Sequence, residues 1–174
     1  MKVIYFFKHL GALLLFVMLQ VFVFGRINLF GYAMPLFYLW MILHMDSGMS
    51  KSSVLLWSFF LGLSVDVFTA TPGLNAAAAT LTGFLQPVAM NISTRVDSHD
   101  ILRPSCNSMG WRCFMLYSMS LILIHSLAYF FLRGMPGQNA GMMATGIIGS
   151  SVITFTLVFC IDLAFSEKRK NLQA

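Results

Sequence analysis

Residues 62–76 read GLSVDVFTATPGLNA, and this stretch decides how the chain folds. Asp66 lies near the end of an apolar run, where a carboxylate costs less than the roughly 2.5–3.5 kcal/mol that it costs at the centre of a membrane helix. Thr71-Pro72-Gly73 is a turn signal that stops one helix and allows the next to begin. The segment therefore predicts two helices joined by a short turn, with one acidic side chain beside that turn.

Asp66 has two interpretations at this stage. In the first it belongs to a polar knot, because its carboxylate accepts hydrogen bonds from backbone N–H groups freed at the turn or from a partner, while Asn75 or Thr71 caps the second helix. In the second it simply reaches interfacial water. The candidate residues for a structural or partner-binding role are Asp66, Thr71, Pro72, Gly73 and Asn75, and no catalytic, metal-binding or cofactor-binding residue is predicted.

The composition around this segment is that of a membrane protein. Of 174 residues, 58% are apolar and only 10% are charged, whereas a soluble domain carries about 25% charged residues. The three cysteines form no CxxC pair, so neither a disulfide framework nor a zinc pattern is present in the sequence. The chain is predicted to be one integral membrane domain over residues 1–174, and a soluble enzyme, a disordered tail and a disulfide scaffold are excluded.

Six apolar runs have about the length that a membrane-spanning helix needs, which is roughly 20 residues. The predicted fold class is an all-α polytopic membrane protein with six transmembrane helices over residues 4–24, 29–45, 53–69, 74–92, 113–132 and 141–165. Small residues recur every fourth position in two of these spans and would let helices approach closely. They are Ala76, Thr80, Ala79 and Gly83 in the fourth span and Gly141, Thr145 and Gly149 in the sixth, and packing within this chain is favoured over a docking face for another protein.

Basic residues predict the orientation. With six spans and a cytoplasmic N-terminus, nine of the eleven Lys and Arg residues fall on the cytoplasmic side, as the positive-inside rule requires. Both termini are then cytoplasmic. The longest loop, residues 93–111, is also cytoplasmic, and it is interpreted either as a segment that faces partners or as a plain connector.

Other polar residues within the spans are assigned structural roles. His125 is interpreted as a neutral imidazole hydrogen-bonded between helices and not as part of a proton relay, which would need charged companions at similar depth. Asp162 is expected to pair with Lys168 or Arg169, or to meet water. Because Asp66 and Asp162 fall at opposite leaflets, they do not form the converging dyad of an intramembrane aspartyl protease.

Residues 62–68 and 71–76 resemble the signature of the rod shape-determining protein MreD family. The likeness extends over nearly the whole chain, with supporting similarity in LQVF (19–22), INLFGYAMP (27–35), MGW (109–111) and the basic tail. The sequence departs from the family pattern at Thr69-Ala70, where many members have Ser-Gly.

The resemblance implies a non-enzymatic component of the bacterial elongation (rod) complex that maintains cell shape and supports lateral peptidoglycan synthesis. Its implied partners are an MreC-like membrane protein, MreB filaments, and RodA with its transpeptidase partner, within the lipid bilayer and without nucleic acid or cofactor. The implied fold is similar to the substrate-binding component of energy-coupling-factor transporters. The alternative function is therefore a small-solute (vitamin) binding component of such a transporter, although the short outer loops offer few hydrogen-bonding side chains for a vitamin.

Overall fold

The computed structural model describes residues 2–26, 34–93, 103–134 and 140–171. Within these ranges the structure is helical, with turns and short irregular segments and no strand. The first helix, α1 (Lys2–Met18), continues into a π-helical turn (Leu19–Val23) and a 3₁₀ turn (Phe24–Arg26). The remaining helices are α2 (Leu39–Leu43), α3 (Lys51–Thr69), α4 (Leu74–Ser93), α5 (Cys106–Met109), α6 (Trp111–Arg133) and α7 (Ala140–Asn171).

Three helical stretches are long and apolar enough to cross a membrane, namely Lys51–Thr69, Trp111–Arg133 and Gly141–Ala164. A shorter apolar helix covers His9–Val23. The prediction of an all-helical membrane protein is therefore confirmed for the described residues. The count of six spans and the orientation of the chain stay predictions.

The second predicted span, residues 29–45, is largely not a helix in the described part of the chain. Residues 27–33 lie outside the described ranges, residues 34–38 are irregular, and α2 contains only five residues. Pro35 explains part of this difference, since it has no backbone N–H and disfavours helical geometry at the residue before it. The predicted span over residues 29–45 is thus not helical at residues 34–38, and its described helix begins only at Leu39.

Gln20 replaces the missing helical hydrogen bonds on one side of this irregular segment. Its Nε2 donates to the Pro35 carbonyl oxygen at 2.9 Å, and its Oε1 accepts a bond from the Tyr38 backbone N–H at 3.3 Å. Backbone groups away from water must find partners inside the protein. One buried amide on the π-helical turn therefore supplies partners for two backbone groups of the irregular segment, residues 34–38.

Two hydroxyl groups on α7 bind the same segment from the opposite side. Ser150 Oγ accepts a bond from the Met34 N–H at 3.0 Å, and Thr154 Oγ1 accepts one from the Leu36 N–H at 2.9 Å. Both hydroxyls lie on a buried row of α7 that also contains Gly146, where an added Cβ would lie 2.6 Å from the Phe130 ring. The segment is thus held between α1 and α7.

This buried row of α7 differs from the predicted one. Gly141 and Thr145 are exposed, and an added Cβ at Gly141 would meet nothing within 4 Å, so this row does not pack within the chain as expected. The packed face is offset by one residue, about 100° around the helix. Gly149, the third member of the predicted stripe, is half-buried.

The small residues predicted in the fourth span do pack within the chain. α3 packs mainly against α4, α4 against α6, and α6 against α7. Ala76, Ala79 and Gly83 are buried, and a Cβ at Gly83 would lie 2.8 Å from Ser58 Cβ on α3. The short distance between α3 and α4 fixes the turn between them, where Asp66 lies.

The loop over residues 93–111 is described only in part. Arg95, Asp97 and Asp100 lie outside the described residues, so both interpretations of this loop stay predictions. Arg103 forms an ion pair with Asp46 at 2.6 Å, between its Nε and the carboxylate Oδ1. This pair joins the loop to the segment that follows α2.

Candidate functional site

The Asp66 carboxylate is the centre of a buried polar cluster, the outer knot, formed by Asp66, Thr71, Asn75 and Ala76. Its Oδ1 accepts bonds from Thr71 Oγ1, the Asn75 backbone N–H and Asn75 Nδ2, each at 2.9 Å. Its Oδ2 accepts a bond from the Ala76 N–H at 2.8 Å. Asp66 is only 3% exposed, so the interpretation of a carboxylate that simply meets interfacial water does not hold.

Asp66 caps α4 from the neighbouring helix. α4 begins at Leu74, so the N–H groups of Asn75 and Ala76 are among the first four donors that have no partner inside the helix. A carboxylate is also favoured at this end of a helix by the macrodipole. The prediction that Thr71 or Asn75 would cap α4 is wrong, because both side chains instead donate to Asp66.

The turn between α3 and α4 uses two residues with positive φ. Ala70 has φ 54° and Gly73 has φ 81°, and Pro72 lies between them in the turn. The backbone N–H groups of Ala70 and Thr71 both donate to the Asp66 carbonyl oxygen. The predicted turn at Thr71-Pro72-Gly73 is present, and both the main chain and the side chain of Asp66 hold it.

Ala70→Gly is expected to stabilise the protein modestly. A non-glycine residue in the left-handed region costs about 1–2 kcal/mol, and glycine avoids this cost. Part of the gain is offset, because glycine loses more conformational freedom on folding. We expect the free energy of unfolding to rise by about 0.5–1 kcal/mol. Thermal denaturation in detergent measures it, with Ala77→Gly on the exposed face of α4 as a control that should lose about 1 kcal/mol. Equal loss in both variants would contradict the prediction.

The outer knot continues into the bundle through Tyr38 and His125. Tyr38 Oη donates to Asn75 Oδ1 at 3.0 Å and lies 2.7 Å from His125 Nε2, while His125 Nδ1 lies 3.0 Å from Thr82 Oγ1. The Thr82 hydroxyl also donates to the Ala78 carbonyl oxygen at 2.8 Å, so its single proton is not available to His125 Nδ1. The prediction that His125 is hydrogen-bonded between helices is confirmed, since its partners lie on α4 and before α2.

A second cluster, the inner knot, surrounds Asp162 on α7. His44 Nε2 donates to Asp162 Oδ1 at 3.0 Å, and the Cys106 N–H donates to Oδ2 at 2.7 Å. Asp162 is only 5% exposed, so it does not simply meet water. The side chains of Lys168 and Arg169 lie outside the described residues, so their pairing with Asp162 stays a prediction. The described partner His44 is 118 positions away in sequence and is brought to this carboxylate by the chain after α2.

The cysteine at the inner knot is not a nucleophile. Burial, then a hydrogen bond to the Asp162 carboxylate and the negative charge of that carboxylate, together raise the pKa of the Cys106 thiol to about 12. The thiol therefore stays protonated at neutral pH and is unreactive. Cys106, Cys113 and Cys160 are free thiols. No group of three or more His, Cys, Asp or Glu side chains within the described ranges is arranged to hold a metal ion.

A cavity of about 420 Å³ lies beside the outer knot. Its volume falls within the roughly 300–1,000 Å³ of typical ligand pockets. The wall is formed by the π-helical turn, the segment before α2, the facing ends of α3 and α4, and the end of α6. Its polar side chains are Gln20, Thr69, Thr71, Asn75, Tyr129 and Arg133.

Sequence reasoning found Asp66 and the turn but did not find Gln20, Tyr38 or Thr154. These three polar residues are scattered in apolar runs at no helical or strand period, so no local pattern marks them. Only the tertiary contacts across the irregular segment reveal their roles.

Comparisons with known proteins do not assign the chain to a family. No family model matches the chain, and neither a curated protein nor a solved structure matches it. The functional argument therefore rests on the sequence motif and on the geometry of the two knots and the cavity.

Proposed function

We propose that this chain is a non-enzymatic scaffold of the bacterial elongation (rod) complex, which supports cell shape and lateral peptidoglycan synthesis by binding an MreC-like membrane protein. The resemblance of residues 62–76 to the MreD signature supports this proposal. The observation that carries it is the outer knot, because the stretch with the resemblance is also the joint that fixes α3 against α4. A rigid joint of this kind holds a surface in shape for a partner.

The state of the two buried carboxylates also supports a structural role. Asp66 accepts four hydrogen bonds from its own chain, and Asp162 accepts bonds from His44, the Cys106 N–H and the Cys106 thiol. A carboxylate acting as general base needs a free lone pair directed at a reacting proton. Here the oxygens of both carboxylates already accept hydrogen bonds that stabilise the fold.

The proposal predicts a stable complex with an MreC-like protein. Solubilised in mild detergent from cells that produce both proteins, the tagged chain should retain the MreC-like partner through a salt wash and size-exclusion chromatography. Depleting the chain from a rod-shaped host should produce rounded cells, and re-expression should restore rods. Failure to retain the partner, together with normal rods after depletion, would refute the proposed function.

The proposal includes six membrane spans with both ends of this sequence in the cytoplasm of an inner-membrane protein. Nine of its eleven basic residues then face the cytoplasm. A phosphatase that is active only outside the cytoplasm, fused after Ala174, should be silent. The same reporter inserted after Gly134, at the end of α6, should be active. The reverse pattern would refute this orientation.

The cavity favours one alternative, the vitamin-binding component of an energy-coupling-factor transporter. A tight solute would raise the melting temperature, since a ligand that binds only the folded state stabilises it. Heating the purified chain with a panel of water-soluble vitamins tests this function directly. We expect no vitamin to raise the melting temperature, because most polar groups in the cavity wall already bind one another.

A further inference from the structure

The amide groups of the cavity wall already make hydrogen bonds within the protein. Gln20 uses its oxygen on the Tyr38 N–H and its nitrogen on the Pro35 carbonyl oxygen. Asn75 accepts from the Tyr38 hydroxyl and donates to the Asp66 carboxylate. A solute that needs several hydrogen bonds for recognition would have to break this network, at about 1–3 kcal/mol for each buried group left unpaired.

The two threonines of the wall are similarly occupied. Thr69 Oγ1 donates to the Val65 carbonyl oxygen at 2.8 Å and lies 2.7 Å from Thr71 Oγ1, which itself donates to Asp66. The polar side chains of the wall are therefore largely occupied by hydrogen bonds within the protein. The remaining donors belong to Arg133, Tyr129 and the second N–H of Gln20 Nε2.

Arg133 brings a positive charge to the cavity. Its nearest recorded contact is weak, with Nη1 3.5 Å from Tyr129 Oη and the guanidinium 5.9 Å from the centre of the Tyr129 ring. Among the residues that the structure describes, no carboxylate forms an ion pair with Arg133. A guanidinium has five N–H donors, and phosphate is one of the anions that its fork geometry fits best.

The rest of the wall is apolar and reaches the surface of the molecule. Phe22 is 64% exposed and Phe68 is 54% exposed, and both side chains line the cavity. Deeper in the wall lie Leu36 and Val65, which are buried. An apolar chain can therefore lie between α3 and the π-helical turn while a charged head group reaches Arg133.

We propose that this cavity binds an acidic phospholipid. The lipid phosphate accepts charge-assisted hydrogen bonds from Arg133 and a bond from the Tyr129 hydroxyl, and one acyl chain lies against Phe22 and Phe68. A phosphate ester on an apolar chain fits a wall with one cation, few free donors and an open apolar side. This inference does not depend on the proposed scaffold function, since it concerns a different set of contacts.

Native mass spectrometry of the detergent-purified chain, titrated with phosphatidylglycerol, phosphatidylcholine or glycerol 3-phosphate, tests the proposal. We expect phosphatidylglycerol to bind at least about tenfold more tightly than either of the other two, because only it combines net negative charge with acyl chains. Arg133→Gln should weaken phosphatidylglycerol binding about tenfold or more through loss of a charged hydrogen bond. Arg133→Lys should recover part of the affinity.

Arg112→Gln is the matched control. Arg112 lies on the same helix at its opposite end, with its guanidinium 5.2 Å from the centre of the Trp111 ring, and it does not line the cavity. Equal losses in Arg112→Gln and Arg133→Gln would overturn the proposal, as would equal wild-type affinity for phosphatidylcholine. Equally tight glycerol 3-phosphate would assign the site to a soluble phosphate and also overturn it. If Arg133→Gln does not fold, the proposal is tested by the lipid preference of the wild type and of Arg133→Lys.

Discussion

Asp66→Ala is expected to lower the free energy of unfolding by about 3–5 kcal/mol, because it removes the acceptor of four hydrogen bonds in a buried site. The Asn75 and Ala76 backbone N–H groups would lose the Asp66 carboxylate as their partner, at a site where Asp66 is only 3% exposed. We expect little monodisperse protein in fluorescence-detected size-exclusion chromatography after mild heating. The recovered amount of an MreC-like partner should fall with it.

Asp66→Asn should lie between Asp66→Ala and wild type. An asparagine oxygen can accept the bonds now made to Oδ1, but its NH₂ group would face the Ala76 N–H, which is itself a donor. Asp46→Ala is the control, because its ion pair with Arg103 is near the surface and should contribute only about 0–1 kcal/mol. If Asp66→Ala matches Asp46→Ala in stability and partner recovery, the outer knot does not support the fold.

The outer knot could be predicted because its signals are local. Asp66 is the only ionisable side chain between Lys51 and Arg95, and the Thr-Pro-Gly turn follows it within five residues. A turn of this type frees backbone donors, and the nearest carboxylate is the natural acceptor. Sequence reasoning erred in naming the cap, since it chose Thr71 in the turn or Asn75 on α4, whereas the carboxylate that caps α4 lies on α3.

The irregular backbone of residues 34–38 could not be predicted, because hydropathy carries no information on backbone geometry. Residues 34–43 are as apolar as a helix would be, and the groups that replace the helical bonds of residues 34–38 are distant in sequence. Ser150 and Thr154 lie 116 and 118 positions from their partners. The contact between His44 and Asp162 could not be predicted for the same reason, since 118 positions separate the two residues in sequence.

Gly62→Ala should have the second-largest effect among the substitutions considered. A Cβ at Gly62 would overlap the Asn75 carbonyl oxygen and lie 2.6 Å from Ala76 Cα, so the backbone of α4 would have to move. Overpacking of a tight contact costs about 1–3 kcal/mol, and here it also displaces the two N–H groups that Asp66 caps. We expect a loss of about 2–3 kcal/mol, measured by the same thermal assay.

Gly11→Ala is the control that separates packing from helix propensity. Gly11 lies inside α1, where an added Cβ would meet nothing within 4 Å, so alanine should stabilise that helix by about 0.5–1 kcal/mol. Both substitutions make the same chemical change in a helix, and only the one at Gly62 pushes α3 away from α4. Stabilisation by Gly62→Ala would mean that α4 shifts without cost, and the rigid joint on which the proposed scaffold depends would not exist.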